Sequence, residues 1–311
     1  MVMKSTIKQE VKDLNTRIQG LLPLAYHSCL EAISPTSMGS AGLKFDKEGR
    51  VAWDEIWTTF CDLAMAGGPP HRGKFLGPIN PTDVSKDSEK SKVVASEIQR
   101  GIALTTGMKA SIDDQLNWVL LECESGTMAA WMHRAIVAEN VFADHLGNVV
   151  RLPSGPDFRI EKEIKNVIVC VAKTWHYWDG HMSESEKTKA GKVMNDAPLI
   201  MPLQVSNNEI TTEAYAKAIN ETLENVGAAL KLKGKPSEEY GWVGFECPDE
   251  KSAAWFVRAL IACNILARRE IATLLLPVFI PSSGAFSPER ISDILIAIRN
   301  VYEYQLEMGE V

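Results

Sequence analysis

The sequence predicts an α/β protein made of two pseudo-symmetric βαβα-type repeats, each preceded by a helix, with an N-terminal helix and an insertion in the first repeat. Three observations carry that expectation. The hexapeptide Trp118-Val119-Leu120-Leu121-Glu122-Cys123 returns as Trp242-Val243-Gly244-Phe245-Glu246-Cys247, 124 residues later. Short apolar runs rich in β-branched and aromatic residues alternate with stretches of helical spacing. The chain has 311 residues, beyond the length at which one hydrophobic core usually stops growing.

The register of the recurrence holds without gaps. Ala129-Ala130-Trp131 matches Ala253-Ala254-Trp255, Arg134-Ala135 matches Arg258-Ala259, Asn140 matches Asn264, and Leu152-Pro153 matches Leu276-Pro277. After a slip of three residues it resumes, with Ile164 and 169–177 paralleling Ile291 and 296–304. Self-similarity of this kind is sought before any short motif, because it sets the architecture in which a motif is read.

The elements follow in order. Residues 1–38 form an N-terminal helical segment whose apolar stripe is Ile7, Val11, Leu14 and Ile18, a face suited to packing on the rest of the chain or on a second copy. The first repeat spans 39–182 and opens with a helix marked by Trp53, Ile56, Trp57 and Phe60. An insertion at 67–115 includes a helix over 93–106. The run 117–123 reads as a buried strand closed by a polar turn. The next helix carries Trp131, Ala135, Ala138 and Phe142, with Ser125 or Thr127 capping its first amides. A strand near 148–152 and a helix over 159–178 complete the repeat. Residues 183–208 are a polar, proline-bearing connector.

The second repeat spans 209–311. It begins with a helix marked by Tyr215, Ile219 and Leu223, and Asp249 caps its central helix. A strand over 272–278 and a helix over 288–307, burying Ile291, Ile294, Ile298 and Tyr302, end it. Strands alternating with helices imply βαβ units with right-handed crossovers.

Composition excludes several functions. Hydrophobic residues at 45% and charged residues at 23% are ordinary for a globular protein. The apolar run 271–279 is far too short for a bilayer span, and the charged N-terminus lacks the apolar core of a secretory signal. Six cysteines without a CxxC pair read as reduced thiols of a cytoplasmic protein. A net charge of −7 with no concentrated basic face argues against nucleic acid as a partner.

The leading candidate site is the stretch Gly67-Gly68-Pro69-Pro70-His71-Arg72-Gly73-Lys74, which the second repeat lacks. Glycine lets backbone amides approach a ligand, and His71, Arg72 and Lys74 offer donors to a carboxylate or phosphate. The competing reading is helix punctuation by Gly and Pro. The stretch fits neither GxxxxGK[ST] nor GxGxxG, so no nucleotide or other cofactor is implied. Gly68, Arg72 and Lys74 would bind the anion and His71 would act as acid or base.

Cys123, at a strand end before a helix N-terminus, is a candidate nucleophile, although a buried packing thiol is the preferred reading. Glu122 with Arg134, and Glu246 with Arg258, suggest a strand-to-helix salt bridge in each repeat. His133 and Glu139 occur only in the first repeat, where the second has Val257 and Cys263. Their spacing of six sets them on different faces of one helix, so each would join the site separately. His176, Asp179 and His181 form a possible metal cluster without the i, i+4 histidine spacing of a helical site.

No nucleophile elbow, kinase set, zincin helix or phosphate loop is present. The sequence therefore points first to a small-molecule protein with an anionic metabolite site near the 67–74 loop between two lobes, whether or not it catalyses a reaction. The second reading is a non-catalytic assembly or interaction protein, and metal binding is the third.

Overall fold

The computed structural model describes residues 14, 42–57, 74–78, 87–196, 199–202, 211–279 and 287–307. The chain divides into two compact units, one of residues 23–195 and the other of 1–22 with 196–311. The described residues are mixed α and β, with two four-stranded antiparallel sheets. No described helix is long and apolar enough to cross a membrane.

In the unit of residues 23–195 the elements run α1 (Ser88–Thr106), β1 (Ala110–Ile112), β2 (Trp118–Glu122), α2 (Gly126–Ala138), β3 (Asp144–Leu146), β4 (Val149–Pro153), α3 (Lys165–His176) and α4 (Glu184–Asp196). The sheet order is β1-β2-β4-β3, every neighbouring pair antiparallel. This corrects the expected adjacent parallel strands. The crossover β2-α2-β3 exists, but β4 turns back from β3 in a hairpin and fills the slot between β2 and β3. The strand legible in the sequence near 148–152 is thus the antiparallel β4. Its partners are β2 and β3; β3 and the edge strand β1 are three residues long and too short to show a period of two.

Alternation along β2 and β4 buries Val119, Leu121, Val150 and Leu152 completely on the side that α2 covers. The other side carries Trp118, Leu120 and Arg151. Helix α2 starts because Ser125 Oγ accepts from the Met128 amide at 3.1 Å, satisfying one orphan donor. It stops at Asn140, whose φ of 66° is left-handed, a conformation asparagine tolerates at a helix end. Met128, Trp131, Met132, Ile136 and Val137 are its buried face.

The helix immediately before β1 is α1, not the one around Trp53. Residues 53–57 are helical, yet the segment expected as an insertion supplies the helix that packs on the sheet and on α3. Gly101 permits that approach: a Cβ there would lie 2.2 Å from Ile168 Cδ1. The long last helix is interrupted, since residues 160–164 and 177–181 on either side of α3 widen to π-helical turns.

In the second unit the order is α5 (Glu213–Leu230), β5 (Gly234–Pro236), β6 (Trp242–Glu246), α6 (Glu250–Ala262), β7 (Arg268–Glu270), β8 (Thr273–Pro277) and α7 (Pro288–Glu307). Its sheet order is β5-β6-β8-β7, again antiparallel. Asp249 Oδ1 caps α6 by accepting from the Ser252 amide at 2.7 Å. Val243, Phe245, Leu274 and Leu276 are fully buried. Helix α5 buries Tyr215, Ala218, Thr222, Val226 and Leu230, and Ile294, Ile298 and Val301 of α7 are buried as well.

Candidate functional site

Gly68, His71 and Arg72 lie outside the described residues, as does most of the N-terminal stripe. Lys74 is described, exposed, and followed by a firmly held segment. The Leu76 amide donates to Asn140 O at 3.1 Å, and the Phe142 amide donates to Leu76 O at 2.8 Å. The segment directly after Lys74 is thereby pinned beside the end of α2.

Around that anchor sits a cluster on the open side of the sheet. Phe75 meets Phe142 edge-on with ring centres 6.4 Å apart, and Phe142 meets Trp118 at 5.4 Å. The Arg151 guanidinium stands over the Trp118 ring, 5.0 Å from its centre. Arg151 Nε also donates to Asp144 Oδ1 at 2.7 Å, across the β3–β4 pair. The Asp144 carboxylate raises the Arg151 pKa further, so this cation persists at any physiological pH. Sequence reasoning missed Arg151 and Asp144 because their meeting depends on the β3–β4 hairpin, and the three-residue β3 gives no strand signal.

The chain matches no family model, curated protein or solved structure.

The structure sends His133 and Glu139 to separate partners, in keeping with their spacing of six. His133 points to β3, where its Nδ1 lies 3.0 Å from His145 Nδ1. Burial, then His145, then Arg134 push the His133 pKa down to about 3, so the ring is neutral. His145 is lowered too, chiefly by burial. Glu139 instead accepts from Lys173 Nζ of α3 at 3.1 Å, with both side chains about 1% exposed. The sequence signal for Lys173 was a lysine inside the apolar run 167–175; nothing local marked His145 as the partner of His133.

The expected Glu122–Arg134 bridge does not form. Glu122 ends β2 facing solvent and makes no ion pair among the described residues. Arg134 is buried and donates to Ala130 O at 2.9 Å, and burial lowers its pKa to about 10. In the other unit Glu246 turns outward to Lys235 at 3.2 Å, while Arg258 is buried. The glutamates alternate to the open side of each sheet and the arginines face inward, which keeps the two apart.

Cys123 is buried. Burial, helped by Glu124, pushes its thiol up to about 12, and Cys247 is raised to about 12 mainly by burial. A thiol of that acidity is almost wholly protonated at neutral pH and a poor nucleophile, as expected of a packing residue.

At the end of α3, His176 Nε2 lies 3.2 Å from His181 Nε2. Asp179 does not complete a ligand set with them: among the described residues no group of three or more His, Cys, Asp or Glu is placed to hold a metal ion. Elsewhere in this unit an open groove of about 700 Å³ runs between α1 and residues 158–164, lined by Val93, Arg100, Phe158 and Ile160 among others.

Proposed function

We propose that the chain is a binding protein built from two diverged copies of one α-β-β-α-β-β-α unit, and that the first copy holds an anionic small molecule at the 67–74 loop. The duplication is supported by a correspondence that reaches past residue identity. The pairs Trp118↔Pro153 and Trp242↔Pro277 differ by the same 124 residues as the sequence recurrence. So do the caps Ser125 and Asp249, the left-handed stops Asn140 and Asn264, and the hairpin residues Gly147 and Ile271. The parallel bridges Leu76↔Val141 and Ile200↔Ile265 keep that offset as well.

One observation carries the ligand reading: Leu76, two residues after Lys74, is anchored beside a sheet face that bears Arg151 over Trp118. Lys74 and Arg151 supply charge for a carboxylate or phosphate, and Trp118 with Phe142 supplies a flat apolar wall. The second copy keeps the anchor but not the glycine-proline loop, so the specificity lies in what precedes the anchor.

The test is thermal unfolding of the full chain against a panel of carboxylated and phosphorylated metabolites. A ligand at a hundred times its dissociation constant adds about 2.7 kcal/mol of stability. Arg72→Ala and Arg151→Ala should each shrink that shift. If no compound moves the transition, or both variants keep the full shift, the reading is wrong.

A second reading, a non-catalytic interaction protein, is favoured by the α1 groove, on whose rim Val93 is 68% exposed. Val93→Glu, which leaves the sheet face untouched, separates the two: it should abolish partner capture and spare small-molecule shifts.

A further inference from the structure

The described residues contain two histidine pairs, and their geometries differ in a way that assigns different chemistry to each. In the buried pair, the Nδ1 atoms of His133 and His145 are 3.0 Å apart and the ring centres 5.2 Å apart. A head-on N–H···N bond of that length would hold the ring centres about 5.3 Å apart, so this pair is a hydrogen bond. In the outer pair, the Nε2 atoms of His176 and His181 are 3.2 Å apart, but the ring centres are only 4.9 Å apart. A head-on contact there would need about 5.5 Å. The rings are instead out of line, their planes 69° apart, as two imidazoles that share one ion are.

The two separations match those of an ion site. An ion about 2.0–2.1 Å from each nitrogen would subtend about 100° and hold the ring centres about 5 Å apart. The angle falls between those of square-planar and tetrahedral ligands.

The local fold explains how residues five apart reach one site. Residues 177–181 form a π-helical turn, which bonds five residues back and so brings i and i+5 onto one face. An α-helical turn would have separated them. Trp57 braces His176 edge-on with ring centres 5.8 Å apart, and Tyr177 does the same for His181 at 5.8 Å. His181 is exposed, leaving the outer side open to water.

We propose that His176 and His181 form a two-imidazole site for a divalent transition-metal ion of the zinc, nickel and copper class, water completing its coordination. Imidazole suits these ions, and hard oxygen-seeking cations gain nothing from it. The site is independent of the anion site proposed above.

The experiment uses the chelator-stripped full chain titrated with Ni²⁺ by calorimetry. The wild type should bind one equivalent saturably. His181→Ala and His176→Ala should each weaken binding about tenfold or more, while His71→Ala and His145→Ala leave it unchanged. His181 is exposed, so its variant keeps the fold, which thermal unfolding checks; it decides the matter alone if His176→Ala is unstable. Absence of saturable binding in the wild type, or binding that His181→Ala leaves intact, overturns the site.

Discussion

Lys173 Nζ and Glu139 Oε2 lie 3.1 Å apart with both side chains about 1% exposed, an ion pair sealed inside the unit of residues 23–195. Glu139 occupies the C-cap of α2, where the helix dipole disfavours an anion, so Lys173 offsets both burial and the dipole. Cys263 takes the equivalent place after α6. Lys173→Met alone should cost about 3–5 kcal/mol, because it breaks a buried ion pair by removing one of its two members. The double variant Lys173→Met, Glu139→Leu should recover most of that loss. Urea unfolding of the three proteins tests it; losses that simply add would show that the two groups do not depend on each other.

Stability should depend on pH through His133. Its folded pKa is lowered to about 3 from an ordinary 6.5, and His145 is shifted the same way. Below 6.5 the unfolded chain takes up protons that the native pair refuses, so stability falls as pH drops and is level above about 7. The slope is up to about 1.4 kcal/mol per pH unit for each histidine. Urea midpoints between pH 7 and 5, above the main carboxylate range, should fall in the wild type and flatten in His133→Phe. An unchanged slope in that variant would assign the effect elsewhere.

Cys123 and Cys247 should resist alkylation in the native state, since burial holds both thiols near 12. Cys170 is pushed well above the ordinary thiol range by burial and by Glu139 and should behave likewise. Peptide mapping after iodoacetamide treatment at pH 7.5, with and without urea, reads this directly. Rapid native labelling of Cys123 would restore it as a nucleophile.

The β7–β8 hairpin turns through Ile271 at φ 53°, where the β3–β4 hairpin uses Gly147 at φ 59°. A β-branched residue in the left-handed region costs about 1–2 kcal/mol, and Ile271 is 62% exposed, so little burial offsets it. Ile271→Gly should raise the stability of its unit by about 1 kcal/mol, less the added freedom of glycine when unfolded. Gly147→Val should lower stability by a similar amount. A lower melting temperature for Ile271→Gly would mean that the side chain has a role the strain serves.

Much of the framework was legible because it rests on local pattern. The helices over 126–138, 250–262 and 288–307 and the strands at Trp118 and Trp242 follow from apolar spacing and capping residues. Asn140 and Asn264 stood out as recurring residues, and their left-handed backbone gives the reason. The three-residue strands β1, β3, β5 and β7 carried no such pattern, so the antiparallel order of both sheets stayed hidden, and with it the meeting of Arg151, Asp144 and Trp118.

The sequence by itself determined the central helices and the longer strands, where several of them stop, and that His133 and Glu139 leave one helix in different directions. Only the tertiary structure decided what each of them meets, because a partner is chosen by strand register and helix packing across distant segments. It also brought His176 and His181 within 3.2 Å, since a π-helical turn alters the spacing from which a helical histidine pair is read.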